Sequence, residues 1–369
     1  MTAGAECYRR VLFELDKAGV TDLFESIPTD GDRFYVAEKM LSLGKVDCRY
    51  VSLLRMLFLG ESLRREELQS FNRLMDALKE VNILATNDGM AGLNGLVLNR
   101  YRGVWFLTDC PLPSPKRYFG PDSLGLARRI VPQPGKRALD LCAGSGIQSL
   151  ILASGGMHVT SVEIDGDAFS TNIVNINLNG LNCSIAAKQG DLFEGLSQNE
   201  QFDYIVANPP LVPVPCGLEY PFVGNGGQDG CDVLNRIIEG LPDYLSENGT
   251  ALIIGMIAWD GRGSLESTSV VKTVNGAGLL GTMTLLGFDE VYPNSPFVEG
   301  VAWSAYLSSP ESWTSIDAAM DNVYKLYRSD RTVGVYYFLL RLRKGRGGRG
   351  AISVIDHANG RPCTRAWMI

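Results

Sequence analysis

The sequence predicts an α/β fold, a Rossmann-like doubly wound sheet behind a mainly helical, winged-helix-like N-terminal domain. Three features point there. From Arg137 onward apolar, strand-like runs alternate with helical patterns, which calls for a sheet with helices on both faces. The first run, Ala138 to Leu141, ends in the glycine-rich turn Cys142-Ala143-Gly144-Ser145-Gly146, after which Ile147, Leu150, Ile151 and Leu152 recur at helical spacing. Asp140, Glu163, Asp191 and Asn208 all fall at or just beyond strand C-termini, and right-handed crossovers bring such ends to one edge.

The 369 residues divide into a helical domain with a β-hairpin over 1–115, a sheet domain over 116–345 and a basic, glycine-rich tail over 346–369. In the leader, Tyr8, Val11, Leu12 and Leu15 lie on one helical face. Phe34, Val36, Ala37, Met40 and Leu41 suggest a second helix, and Phe71, Leu74, Met75, Leu78 and Val81 a third. Leu96–Leu98 and Val104–Leu107, joined through Arg102-Gly103, read as a hairpin. Helices followed by a hairpin suggest either a nucleic-acid-binding module or a lid, substrate-positioning or dimerisation domain. Six basic residues against five acidic ones between Arg49 and Asn82, with a net charge of -7 for the chain, disfavour phosphate binding. A proline-rich linker, Pro111 to Pro115, leads to Tyr118-Phe119-Gly120-Pro121-Asp122-Ser123, where Asp122 or Ser123 caps a helix. Phe119 and Gly120 are placed to wall a ligand pocket.

The strands expected of the sheet are Arg137–Leu141, Val159–Glu163, Ile185–Gln189, Tyr204–Ala207 and Ala251–Met256, with a helix over Val233–Leu245. Further on, Val271 to Leu286 suggests an interrupted helix. Phe288–Tyr292 and Val301–Leu307 are strand-like, Ile316 to Tyr327 is helical, and Val333–Leu342 is the final strand. Lys344 to Gly350 suggests a mobile basic linker. Eight scattered cysteines without a C-x-x-C, and only two histidines, argue against a zinc site or disulfide framework and for a reducing cytoplasm. No apolar run reaches the roughly 18 residues of a membrane span, and Met1 to Arg10 carries no targeting core. The oligomeric state stays open, a homodimer included.

The glycine turn lets a ligand approach the backbone. Glu163, at the tip of the second strand, is placed for a ribose diol, so the ligand is a nucleoside derivative. Asp140 beside the turn would repel a pyrophosphate and attract a cationic sulfonium bearing an ammonium group. That favours S-adenosyl-L-methionine over NAD.

A second anchor is Phe202-Asp203-Tyr204-Ile205-Val206-Ala207-Asn208-Pro209-Pro210. The prolines end the strand and stiffen the turn. The Asn208 side-chain oxygen and a proline-linked carbonyl can accept two hydrogen bonds from one planar NH2 group, pointing its lone pair at a methyl donor. Positioning of this kind can contribute about 7–11 kcal/mol. Asn208, Pro209 and Pro210 are therefore the candidate catalytic segment.

With these motifs in hand, Arg137 to about Met256 resembles a class I S-adenosylmethionine-dependent methyltransferase. LDLCAGSG is similar to the family's first motif, SVEID to its acidic second motif, GDLF at 190–193 to the adenine-holding segment, and ANPP to the motif of enzymes that methylate planar nitrogen. Gly226-Gly227-Gln228-Asp229-Gly230-Cys231-Asp232 resembles the matching stretch of protein-glutamine N-methyltransferases, although the leader does not. The resemblance implies that Asp140, Cys142, Ala143, Gly144 and Gly146 surround the methionine moiety, that Glu163 holds the ribose, and that Ile164 and Leu192 sandwich an adenine bonded by Asp191. Phe119 and Asn208 complete the implied cofactor contacts. Leu211 stands where the family usually has an aromatic residue, which offers weaker stacking and speaks against a purine acceptor. The expected activity is methyl transfer to a nitrogen of a small molecule or of an amide or amino-acid side chain. The alternative is an rRNA or other nucleic-acid base N-methyltransferase, or a nucleic-acid-binding protein, working through the leader.

Overall fold

The computed structural model describes residues 3–27, 33–110, 115–262, 264–357 and 367. All of the expected 111–115 linker except Pro115 lies outside the described residues. The leader comprises α1 (Ala3–Lys17), α2 (Val20–Glu25), α3 (Arg33–Ser42), α4 (Cys48–Leu53) and α5 (Asn72–Glu80). Strands β1 (Leu63–Arg64), β2 (Ala85–Asn87) and β3 (Met90–Gly92) form a small sheet, and β4 (Leu96–Tyr101) and β5 (Val104–Asp109) form the hairpin. Arg102 and Gly103 both have positive φ, the turn whose twist matches an antiparallel hairpin.

The sheet region contains α6 (Pro121–Arg129), β6 (Arg137–Leu141), α7 (Ile147–Ser154), β7 (His158–Glu163), α8 (Gly166–Leu178), β8 (Ile185–Gln189) and β9 (Phe202–Ala207). It continues through α9 (Asp232–Tyr244), β10 (Leu245–Trp259), α10 (Ser269–Gly276), β11 (Leu279–Glu290), α11 (Pro296–Ser308), α12 (Ile316–Ser329), β12 (Gly334–Lys344) and β13 (Ala351–Asp356). The eight strands order as β13-β11-β12-β10-β9-β6-β7-β8. Strands β6 to β10 run parallel, whereas β12 is antiparallel to both β10 and β11. This is the expected doubly wound α/β fold, with an antiparallel strand inserted near one edge. Side-chain alternation along β9 builds the two layers. Tyr204 and Val206 join the core under α7, α11 and α12, while Ile205 and Ala207 join the core under α9 and α10; Phe202, at the strand's start, departs from the alternation and packs with the second group.

Strand β5 ties the leader to the sheet domain. Val104 and Phe106 pack into the core beneath α7, and Trp105 and Leu107 pack into the leader's own core. Asn175 on α8 and Asn179 just past its C-terminus, one turn apart, supply it with strand-like partners. Asn175 Oδ1 accepts from Leu107 N at 2.7 Å, and its Nδ2 donates to Leu107 O and to Ser145 O in the glycine turn. Asn179 makes the same two-way contact with the backbone of Trp105. The hairpin is thus covered on both faces and is no free wing for a nucleic-acid groove. Asn175→Ala would strand three fully buried backbone groups, each costing about 1–3 kcal/mol when left unpaired. It is expected to lower the thermal midpoint by well over 5 °C in a melting experiment; an unchanged midpoint would contradict the stitching role.

Four expectations are corrected. Val301–Leu307 is the middle of α11, because Ser295 caps Val298 N and Pro296 starts the helix; it looks strand-like because Phe297, Val298, Val301, Ala302 and Ala305 are buried while Trp303 and Leu307 face a cavity. The helix expected over 271–286 stops at Gly276, and Gly278, with φ +67, turns the chain into β11. The sheet does not end at Leu342. Residues 345–350 make a tight connection, where Gly345 N donates to Gly278 O, and β13 adds a parallel edge strand on β11. Helix α6 starts from Gly120 with Pro121 at its first position; of the two expected caps, Ser123 takes part, its Oγ accepting from Gly120 N at 3.4 Å, while Asp122 is left for another use. Among the described residues no helix is long and apolar enough to cross a membrane.

Candidate active site

After β6 the chain winds outward through β7 and β8, then returns to place β9 on the other side of β6. Ligands of doubly wound sheets bind where the winding reverses, beyond the strand C-termini. Leu141 pairs with Ala207, so the loops that begin at Cys142 and Asn208 leave the sheet side by side. A cavity of about 750 Å³ opens between them.

Ten of the thirteen residues expected at the site line this cavity: Cys142, Ala143, Gly144, Glu163, Ile164, Asp191, Leu192, Asn208, Pro209 and Pro210. Gly144 has φ +55, and a β-carbon there would meet no atom within 4 Å, so its bare backbone borders open space. Its N–H donates to Glu163 Oε2 at 2.7 Å, and Glu163 Oε1 accepts from Asp165 N at 2.8 Å. Each oxygen keeps a lone pair for a ligand hydroxyl. Burial pushes the Glu163 carboxyl up, against the pull of these two N–H groups. Ile164 is 45% exposed, an apolar face at the rim. Cys142 and Leu192 both have positive φ, a strained state that side chains of this size hold at ligand clamps. Asp191 is engaged, with Arg236 Nη2 at 2.7 Å from its Oδ2.

Asp140, Gly146 and Phe119 do not border the cavity, and neither does Gly120, expected beside Phe119 at its wall. Asp140 is buried beneath α7, where its Oδ2 accepts from Ser149 N and Ser149 Oγ at 2.9 and 2.6 Å. It caps the first turn of that helix from the neighbouring strand and so positions the glycine turn indirectly. Gly146, with φ +91, is required by packing: an added β-carbon would sit 2.1 Å from Asn172 Oδ1 on α8. Phe119 turns inward, edge-on to Phe106 at 4.8 Å between centroids, and its neighbour Tyr118 takes the cavity wall.

Burial pushes the Asp140 carboxyl up to about 7. The folded state then holds this proton more tightly than the unfolded chain does. The associated stability is complete below about pH 4 and is lost as pH rises towards 7. Asp140→Asn is expected to remove that dependence. Urea unfolding between pH 5 and 8 should show the variant gaining on the wild type as pH rises; parallel curves would contradict this.

Asn208 is the centre of the opposite wall. Its Nδ2 donates to Asp122 Oδ2 at 3.0 Å and to Ser123 Oγ at 3.2 Å. Asp122 Oδ1 in turn accepts from Tyr118 Oη at 2.7 Å. Burial lifts the Asp122 carboxyl, and the donors from Tyr118 and Asn208 oppose it. A carboxylate is an acceptor only, so this clamp fixes which end of the amide faces α6. Asn208 Oδ1 is left buried with no hydrogen-bond partner, and the Ser145 hydroxyl, also in the cavity wall, is in the same state. Six buried polar atoms lack a partner among the described residues, and these two are the ones that belong to residues lining the cavity, where a bound molecule would satisfy them. These two atoms, the open space at Gly144, the Glu163 carboxylate and the apolar Ile164 fit a cationic nucleoside ligand beside a planar N–H donor.

The glycines of 226–232 support the Asn208 loop. A β-carbon at Gly226 would lie 2.9 Å from the Leu211 carbonyl carbon, and one at Gly230, with φ +88, 2.9 Å from Leu211 O. Segments 212–214 and 224–227 exchange backbone hydrogen bonds above them. Sequence reasoning missed the Asp122–Asn208 contact, because a helix-start aspartate looks like a cap. It also missed Trp303, Ser304 and Leu307 of α11, which reach the same cavity.

A family model described as the methyltransferase small domain matches residues 121–275. A ribosomal protein uL3 glutamine methyltransferase of Bradyrhizobium diazoefficiens is 32% identical over 182 residues, which cover 44% of this chain and 54% of that protein. The chain thus spans about half the length of that relative. A candidate protein N5-glutamine methyltransferase of Methanocaldococcus jannaschii is 32% identical over 140 residues, 36% of this chain and 68% of that protein. The solved structure of a ribosomal protein L11 methylase from Lactobacillus delbrueckii subsp. bulgaricus covers 44% of this chain and 68% of its own at 22% identity and a TM-score of 0.32. The fold assignment rests on the strand order and not on that likeness.

Proposed function

The chain belongs to the class I S-adenosylmethionine-dependent methyltransferases, and we propose that it methylates the amide nitrogen of a glutamine side chain. One observation carries the acceptor assignment: Asn208 Oδ1 is buried, unpaired and oriented by the Asp122–Ser123 clamp. In this reading an incoming carboxamide NH2 supplies the missing donor to Asn208 Oδ1, and its second hydrogen goes to a carbonyl of the stiff Pro209-Pro210 turn, which borders the same cavity. S-adenosylmethionine, when bound, supplies an electrophilic methyl group on sulfur. Glu163 holds the ribose hydroxyls, the bare backbone at Gly144 leaves room for the methionine moiety, and Ile164 and Leu192 flank the base. Asn208 draws on the amide hydrogens and raises electron density at nitrogen, and the apolar lining keeps water from competing. The leader, braced by β5 against α8, serves as a rigid support for the glycine turn.

The relatives named as glutamine methyltransferases support this reading. Leu211, 7% exposed and walling the cavity, supports it too, since a purine acceptor would call for an aromatic platform there. Incubation with methyl-labelled S-adenosylmethionine, capped glutamine peptides and ribosomal RNA, followed by mass spectrometry, tests it. Label on the glutamine amide is the expected result. Label confined to ribosomal RNA, with none on any peptide, would overturn it.

A further inference from the structure

The acceptor side of the cavity carries a second pattern. Phe222 is 67% exposed, Trp303 40% and Leu307 39%, yet all three line the mouth of the cavity that holds Asn208. Trp303 and Leu307 stand one turn apart on α11, so they share one face. Phe222 sits on the opposing 220–224 loop. Helix α11 lies beyond the 121–275 segment matched by the family model, whereas Phe222 lies within it.

The charge inventory of the lining is equally specific. Its six charged residues are all engaged. Lys116 pairs with Asp167 and Arg236 with Asp191. Asp165 caps α8, Glu163 accepts the Gly144 and Asp165 N–H groups, and Asp122 holds Tyr118 and Asn208. Among the described residues of the lining no uncommitted cation is left for a phosphate or a second carboxylate, and no uncommitted anion beside Asn208 for an α-ammonium group. A free amino acid would bring a second ammonium and a second carboxylate into a lining that already has to hold those of the methionine moiety, which is costly unless each finds a partner.

Resting on the glutamine reading above, we propose that the acceptor is a polypeptide segment in which an apolar side chain adjoins the reactive glutamine. The glutamine enters between Asn208 and the glycine turn. Its apolar neighbour lies outside the cavity, on Phe222, Trp303 and Leu307. A molecule wholly engulfed by the cavity would leave that exposed apolar surface uncovered, and contiguous apolar patches of this kind mark docking sites. Phe222, Trp303 and Leu307 are then specificity-determining.

The test compares acetylated, amidated peptides carrying one glutamine flanked by leucine, by glycine or by aspartate, together with free glutamine. Methyl transfer is read as kcat/KM, for the wild type and for a Phe222→Ser/Trp303→Ala double variant. The wild type is expected to prefer the leucine-flanked peptide by at least about tenfold over the glycine one, the scale of a filled apolar subsite, and to leave free glutamine unmodified. The double variant should lose that preference while still binding S-adenosylhomocysteine by calorimetry, which shows that it is folded. Equal rates on all peptides, or a preference that survives in the variant, would overturn the inference and leave the glutamine reading standing. A change of oligomeric state in the variant with preference intact would assign the patch to a second copy of the chain instead. Transfer to none of the peptides by a wild type that binds S-adenosylhomocysteine would remove the glutamine reading, and this inference with it.

Discussion

Asn208→Ala is expected to cut turnover by roughly 10²–10³-fold while S-adenosylhomocysteine binds as before. The magnitude is that of removing one preorganised hydrogen-bonding group aimed at the reacting centre. The specificity of the effect follows from the clamp. The Asn208 amide is held through its nitrogen by Asp122 and Ser123, and its oxygen has no partner within the protein, so the alanine variant loses the acceptor oxygen proposed to position the substrate amide. Asp122→Ala should show a weaker form of the same defect, since the amide survives but can rotate. Steady-state kinetics beside calorimetry checks both. Loss of donor binding in the Asn208 variant, in parallel with turnover, would show that the residue serves the donor instead.

Glu163→Ala is expected to do the reverse. The carboxylate is 7% exposed and lies between the Gly144 and Asp165 N–H groups. Its remaining lone pairs are the partners available for two ribose hydroxyls. Charge-assisted bonds of this type are worth about 1.5–3 kcal/mol each, so losing both corresponds to a Kd for S-adenosylhomocysteine raised roughly 10²- to 10⁴-fold. Turnover at saturating donor should fall far less. Glu163→Gln retains one acceptor oxygen and should lie between. Titration calorimetry decides the matter, and an unchanged Kd in the alanine variant would contradict the assignment.

The two anchors of the site were legible in the sequence because each is local. A strand that runs into a glycine turn, and a strand that runs into Asn-Pro-Pro, carry their geometry in a few residues. The layering of the sheet was equally legible from apolar alternation. Asp140 was misplaced because sequence puts it beside the cavity without saying which way the pleat turns it; the structure turns it under α7, onto Ser149. Asp122 was read as a helix cap, its commonest use at that spacing, and its partner Asn208 lies 86 residues further on. Helix α11 was hidden for a physical reason. Both of its faces are apolar, one for the core and one for the cavity, which erases the period of 3.6 that marks an amphipathic helix. Strand β13 was missed because an edge strand that follows a run of glycines looks like a tail.

The central claim is that the glycine turn after β6 and the Asn208 turn after β9 serve one reaction across a single crevice. A crystal structure with S-adenosylhomocysteine and a glutamine peptide tests it most directly. The account predicts the nucleoside against Glu163 and Ile164, and the peptide carboxamide hydrogen-bonded to Asn208 Oδ1. A nucleoside bound away from Glu163, or a carboxamide seated with Asn208 Oδ1 still unpaired, would contradict it.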